Sequence, residues 1–336
     1  MGPLRVRPTW FFLTLALCLL LGGPSATAAW EPSKPIEFVI PAGTGGGADQ
    51  MARLIAGIAE KNKLSPRPII VLNKAGGAGA EGFLHVKGKK GDAHTIIITL
   101  SNLFTTPLHT GVPFSWKDLT PVSRLALDQF ILWVNTDRPD KKDFKTAREY
   151  LAFVKEQSGG EGRGKMGGTG TAQEDQIITI QLEQSQGVKF TYVPFKGGGE
   201  VCVNLVGNHV DSTVNNPIEC VSHWKAGRVR PLAVFDTARI PEAEWKDIPT
   251  VKEALGADIS YLMLRGIFGP PDMPKEAVAW YQDFLKKVYD SPEFKEYLAK
   301  GALKPSWLTG PEFVAWLGDA DTLHRELMTK GGLLKK

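Results

Sequence analysis

Short apolar runs alternate with helically spaced apolar positions along most of the chain. Ile36 to Ile40 predicts a strand, Met51, Leu54, Ile55 and Ile58 recur at helical spacing, and Ile69 to Leu72 predicts a second strand. A short helix over 79–87 leads to Thr95 to Leu100, a third strand rich in β-branched residues. Such alternation predicts a parallel sheet with crossover helices. Proline and turn residues break the pattern from Pro107 to Pro121. Two extended runs, Pro121 to Leu127 and Phe130 to Asn135, then open a second alternating block. It holds predicted helices at 145–157, 171–186, 198–206 and 217–226, and predicted strands at 164–168, 190–193, 209–214 and 230–235.

The last third reads as mostly helical. Thr250 with Glu253 and Thr309 with Glu312 fit capping boxes, in which hydroxyl and carboxylate each satisfy a free backbone N–H at a helix start. Val278, Tyr281, Phe284, Leu285 and Val288 form one apolar face, and Phe313, Trp316, Leu317, Ala320 and Leu327 another. These faces need a sheet to cover. The first block has few helices of its own, so the chain is expected to return to it after about 236. That makes 29–127 plus 236–336 one domain and 128–235 the second.

Residues 1–28 stand outside this pattern. Arg5 and Arg7 precede an apolar stretch from Trp10 to Leu21, followed by Ala26-Thr27-Ala28. This is the layout of a secretory signal, with the cut expected after Ala28. The stretch is shorter than the roughly 20 residues of a membrane span, so the exported chain is not expected to cross a membrane. Export leaves Cys202 and Cys220, both on predicted helices and outside any dense cysteine framework. The sequence favours two buried thiols over a bridge.

The 336 residues carry 40 Lys plus Arg against 36 Asp plus Glu, a formal charge of only +4. A nucleic-acid-binding protein would show a strongly basic patch, and nothing here does. The biased residue is Gly, at 36, concentrated in short runs. Gly43-Thr44-Gly45-Gly46-Gly47, after Ala42, lies between a predicted strand and a helix, where backbone N–H groups and the helix dipole bind anions without a charged side chain. Gly43-x-Gly45-x-x-Ala48 also fits a relaxed dinucleotide fingerprint, but Asn73 stands where the acidic ribose ligand belongs, so no cofactor is expected.

Gly167-Gly168-Thr169-Gly170-Thr171 repeats the strand-to-helix arrangement in the second block, with Thr171 and Glu174 spaced as a capping box. One anion-binding turn at the edge of each block predicts a cleft that grips a ligand from both sides. Gly76-Gly77-Ala78-Gly79 and Gly197-Gly198-Gly199 read equally well as plain tight turns. Ser101 with Asn102, and Asn215 with Asn216, follow the C-terminal ends of strands, where open α/β sheets bind ligands. No G-x-S-x-G, G-x-x-x-x-G-K-[ST], H-E-x-x-H or C-x-x-C motif occurs, and no catalytic residue or metal ligand is assigned.

Further markers run in one order through the chain: Pro32-Ser33-Lys34-Pro35-Ile36, Pro41 with Gly45 to Gly47 and Asp49, Asn73 with Gly76, Val193 to Gly198, Lys225-Ala226-Gly227 and Asp247 to Val251. From about Trp30 to its C-terminus the chain resembles the extracytoplasmic substrate-binding receptors of tripartite tricarboxylate transporters, the Bug proteins. The resemblance implies an α/β, type II-like two-domain periplasmic-binding fold, each domain a doubly wound sheet flanked by helices, with the ligand cleft between them. It implies a non-enzymatic, monomeric periplasmic receptor that delivers a small organic carboxylate to a membrane permease. The other role open to this fold is a periplasmic sensor that signals to a membrane kinase. In the family, the turns matching Ala42 to Gly47 and Gly168 to Thr171 hold a carboxylate. Two positions depart from the pattern: Asn215 stands where the family often has Asp, and Arg265 where an uncharged residue is common. Arg265 is a candidate for a second ligand carboxylate, or for a salt bridge near the hinge.

Overall fold

The computed structural model describes residues 1–2, 30–157 and 164–335. The predicted signal segment lies outside the described residues but for its first two. In chain order the first half forms β1 (Ile36–Ile40), α1 (Gly47–Lys61), β2 (Ile69–Asn73), α2 (Ala80–Lys87), β3 (Thr95–Thr99), α3 (Asn102–Thr110) and β4 (Thr120–Asp128). There follow β5 (Ile131–Asn135), α4 (Ala147–Gln157), β6 (Lys165–Thr169), α5 (Glu174–Gln186), β7 (Thr191–Phe195), α6 (Gly198–Val206), β8 (Ser212–Asn215), α7 (Pro217–Lys225) and β9 (Val229–Val234). The last part is α8 (Val251–Leu255), β10 (Met263–Gly269), α9 (Lys275–Asp290), α10 (Pro292–Lys300), β11 (Lys304–Leu308) and α11 (Gly310–Lys330).

These elements build two sheets, ordered β11-β4-β10-β3-β1-β2 and β7-β6-β8-β5-β9. Neither is the purely parallel sheet the alternation predicts. β1 pairs parallel with β2 and β3, and β6 with β7 and β8. The strands carrying the chain between sheets, β4, β5, β9 and β10, make antiparallel pairs, because each crossover brings the chain in from the far end. The outward crossover is only Gln129 and Phe130. The return begins at Phe235, whose N–H donates to Phe130 O at 2.9 Å, and at Asp236, whose carboxylate accepts from Gln129 Nε2 at 2.6 Å.

The first sheet is covered on both faces. Phe38, Ile96 and Ile98 point into one apolar cluster, shared with α1 and α9, while Val39 and Ile97 point into the other, shared with α2, α3 and α11. The period-two alternation of a strand produces this split, and each fully buried Ile or Phe stabilises the fold by about 1.5–3 kcal/mol. Tyr281, Phe284, Leu285 and Val288 of α9, with Phe313 and Leu317 of α11, are buried in these layers.

Four expectations need correction. The break at 107–121 begins inside α3, which carries Pro107 near its C-terminal end. The last third contains β10 and β11; β10 is buried at all seven positions, so it has no polar alternation to betray it. Thr309 precedes α11 without a side-chain cap bond, whereas the Thr250–Glu253 box is formed. Cys202 and Cys220 form a disulfide rather than two thiols: α6 packs on α7 and brings their Cα atoms to 5.7 Å, a helix–helix approach that sequence spacing does not encode.

Candidate functional site

The first glycine turn runs from the end of β1 into α1. Gly45 sits at φ +78°, a conformation glycine adopts without strain. Asp49, buried in the first turn of α1, accepts from Gly45 N–H at 2.9 Å and is itself held by Arg53 and by Asn73 Nδ2 at 3.0 Å. Two further donors of the run reach across to the second sheet's elements. Gly43 N–H donates to Lys196 O at 3.0 Å, and Gly47 N–H to Glu219 Oε1 at 2.8 Å. The anion that the α1 N-terminus holds in this structure is therefore a carboxylate of the protein. Thr44 is exposed, and Gly46 is buried against Glu219.

The second turn lies between β6 and α5. Gly168 is packed under Tyr192, whose hydroxyl donates to Thr169 O and Gly170 O at 3.2 and 3.0 Å. Thr169 N–H donates to the Asp175 carboxylate, and Gly170 N–H to Phe195 O at 2.8 Å. The Thr171–Glu174 capping box does not form. Ala172 takes φ +56° and turns the chain out of helical geometry, so α5 begins only at Glu174, with Gln173 as its N-cap, and Thr171 stays exposed.

The remaining predicted residues are buried. Asn102 Nδ2 donates to Pro41 O at 2.9 Å, while its Oδ1 and the Ser101 hydroxyl have no hydrogen-bond partner among the described residues. Asn215 Nδ2 donates to Gly198 O at 2.9 Å, and Asn216 Nδ2 to Gln129 O at 2.7 Å, which ties α6 and the outward crossover to the end of β8. Arg265 on β10 is fully buried. Its Nε donates to Asp128 Oδ2 at 3.0 Å and its Nη2 to Asn216 Oδ1 at 3.3 Å, leaving Nη1 without a partner among the described residues.

A cleft of about 570 Å³ opens between the two sheets at the C-terminal ends of their parallel strands. Of the predicted residues, Ala42, Thr169, Gly170 and Thr171 line it. The lining also includes Gly76 to Gly79, which reads from sequence equally well as a plain tight turn, together with Lys196 and His109. Gly77, Ala78 and Gly79 are consecutive left-handed residues, at φ +61°, +57° and +92°. Ala78 O accepts from Gln173 Nε2 of the second sheet's side at 3.0 Å. The available signal was position: this run follows the C-terminal end of β2, just as the two favoured runs follow β1 and β6.

Asp128, Glu174 and Glu219 feel the charge of Arg265, and Asp175 neighbours Glu174. Burial pushes Asp128 up against the pull of Arg265, and raises Asp175 further through its neighbour Glu174. Burial raises Glu174 and Glu219 to about 7 each. A carboxyl whose folded pKa is raised contributes stability that is present below its unfolded pKa and lost as pH rises through the folded one. The unliganded protein is therefore expected to melt about 3 °C lower at pH 8 than at pH 6.5. Buried His324, lowered to about 4, works in the opposite sense: its unfolded form is still half protonated at pH 6.5, so it returns about 0.4 kcal/mol by pH 8, less than the two glutamates lose. Calorimetry in matched buffers checks this; a melting temperature that is flat or rising over that range would contradict it.

Two helix-flanked sheets joined by two crossovers, with a cleft between them, define a two-domain solute-binding protein. The profile of the family described as tripartite tricarboxylate transporter family receptor matches residues 51–329, and the chain belongs to that family. It is 29% identical over 325 residues to a UPF0065 protein of Cupriavidus necator, covering 96% of this chain and 95% of that one. Among solved structures it is similar to MatC of Rhodopseudomonas palustris with bound malate (23% identity, TM-score 0.73, 89% and 98% of the two chains). It is also similar to an R. palustris protein with adipate (21% identity, TM-score 0.81, 91% and 99%). Among the described residues no helix is long and apolar enough to cross a membrane.

Proposed function

We propose that this chain, cut after Ala28, is a monomeric periplasmic receptor that closes on a small organic carboxylate and delivers it to the permease of a tripartite tricarboxylate transporter. The lobes are 29–127 with 236–336, and 128–235, and the bonded crossovers at Gln129–Phe130 and Phe235–Asp236 are the hinge. The observation that carries the reading is the cleft: backbone-rich turns from both sheets wall it, and Lys196 and His109 line it with them. Backbone donors, helix dipoles and one exposed ammonium recognise a carboxylate while leaving the rest of the ligand to the remaining wall. Malate and adipate, bound by the two R. palustris proteins, have this chemistry in common. Contacts from two lobes exist together only on closure, so ligand binding drives that closure.

The test is native mass spectrometry of residues 29–336, followed by a thermal-shift screen of organic acids and neutral solutes. At a hundredfold excess over its Kd, a true ligand raises the melting temperature by about 4 °C. Shifts with neutral solutes and none with any acid would overturn the reading.

A further inference from the structure

We propose that Glu219 is an interlobe latch: its carboxylate fills the N-terminal end of α1 when the lobes meet, and so holds the receptor in its closed form. The proposal rests on the receptor reading and deepens it, by naming a side chain that sets closure.

The second lobe carries Glu219 to the boundary on a rigid mount. The residue sits in the first turn of α7, where its Oε2 accepts from Asn216 N–H at 3.3 Å and keeps the carboxylate over its own helix start. The next residue, Cys220, is bridged to Cys202 of α6, and Asn215 Nδ2 donates to Gly198 O at 2.9 Å. Both ties fix the start of α6 to the same corner. A cap of α7 needs only Oε2. The other oxygen, Oε1, leaves the lobe and accepts from Gly47 N–H, 172 positions away along the chain, at 2.8 Å.

The first lobe offers a receptor for that oxygen. Gly47 opens α1, a helix of 15 residues whose start presents unpaired N–H groups and the positive end of the dipole. The Gly47 carbonyl accepts from Tyr297 Oη at 3.3 Å, so the peptide is held in place from its own lobe. Arg265, also of the first lobe, attracts Glu219 across the boundary, against a weaker repulsion from Asp128. Beside the carboxylate, Ile218 packs on Gly47 and Gly301. The fit requires glycine on both sides: a Cβ at Gly198 would fall on the Glu219 carboxylate, and one at Gly47 on the Arg265 guanidinium.

This contact lies beside the cleft and not in it. Ala42 lines the cleft, but Glu219 and the residues from Gly43 to Gly47 do not. The latch can therefore engage without displacing a ligand. An ionised acceptor makes the stronger kind of hydrogen bond, which changes the closed population by about 10- to 100-fold.

Glu219→Ala and Glu219→Gln in residues 29–336 test the proposal at pH 8, above the value of about 7 to which burial raises this carboxyl. With no ligand added, the Gly47 amide of Glu219→Ala is expected to exchange its hydrogen about 10-fold faster or more, and small-angle scattering to show a larger radius of gyration. Gln keeps one acceptor oxygen, so Glu219→Gln should fall between Glu219→Ala and the wild type. Malate or adipate, whichever the wild type binds, should bind Glu219→Ala about 10- to 100-fold more weakly. Wild-type Gly47 exchange and wild-type dimensions in both variants would overturn the inference and reduce Glu219 to the cap of α7. Tighter binding of either acid by Glu219→Ala would overturn it as well, because Glu219 would then be competing with the ligand. If no acid binds even the wild type, the receptor reading falls, while exchange and scattering still decide the latch.

Discussion

Replacing Arg265 by Leu is expected to lower the unfolding free energy by about 3–5 kcal/mol, the usual cost of stranding one member of a buried ion pair. Arg265 and Asp128 are both fully buried and lie on the neighbouring antiparallel strands β10 and β4. The guanidinium is the cation that faces Asp128 and Glu219, and it also bonds Asn216 at the end of β8. Without it Asp128 must take up a proton or sit charged among other carboxyls. Asp128→Leu combined with Arg265→Leu should recover much of the loss, because the cost comes from the stranded charge and not from the missing attraction. Urea unfolding at pH 7 measures both variants. A single-variant loss below about 1 kcal/mol would mean that the stranded carboxyl is tolerated and the pair is dispensable. The same variant separates the two roles open to this arginine. If ligand selectivity is retained, Arg265 is structural; if dicarboxylates are lost while monocarboxylates still bind, the unpartnered Nη1 reaches the ligand.

That arginine also marks the limit of what the residues alone reveal. The strand-to-helix alternation was legible because β1, β2 and β3 are mostly apolar runs next to helices with one apolar face. The run containing Arg265 was not, because a charged residue and two glycines in a strand buried on both faces imitate an irregular segment. Position after a strand made both favoured glycine turns legible as helix starts. Their partners were not legible, because Gly43 and Gly47 are satisfied by Lys196 and Glu219, more than 150 residues away along the chain. The Thr171–Glu174 box failed for a related reason: the left-handed Ala172 is imposed by the turn's surroundings and leaves no trace in residue type. The loop at Gly76 to Gly79 shows the converse. Its composition was noticed, but its place in the cleft wall depends on how the second sheet's Gln173 approaches it.

The two remaining glycine runs meet across the lobes, and this yields the largest expected effect on binding. A Cβ added at Gly199, in the first turn of α6, would lie 2.7 Å from Gly45 O and 2.8 Å from Gly45 C. A Cβ at Gly43 would lie 2.9 Å from Lys196 O. Backbone atoms cannot swing aside, so the only relief is for the lobes to stop short of this approach. Gly199→Ala should therefore leave each lobe folded, and slightly stabilise the second, since Ala exceeds Gly in helix propensity by about 1 kcal/mol. Its effect falls on closure. If the closed form drops to about 1% of its former population, apparent affinity falls about 100-fold, because the apparent Kd scales inversely with the competent fraction. Gly57→Ala, on α1 with open space around it, serves as a silent control. Calorimetry gives the affinities, and small-angle scattering shows whether the ligand still compacts the molecule. Wild-type affinity together with wild-type compaction in Gly199→Ala would show that the meshed glycine turns are not what sets closure.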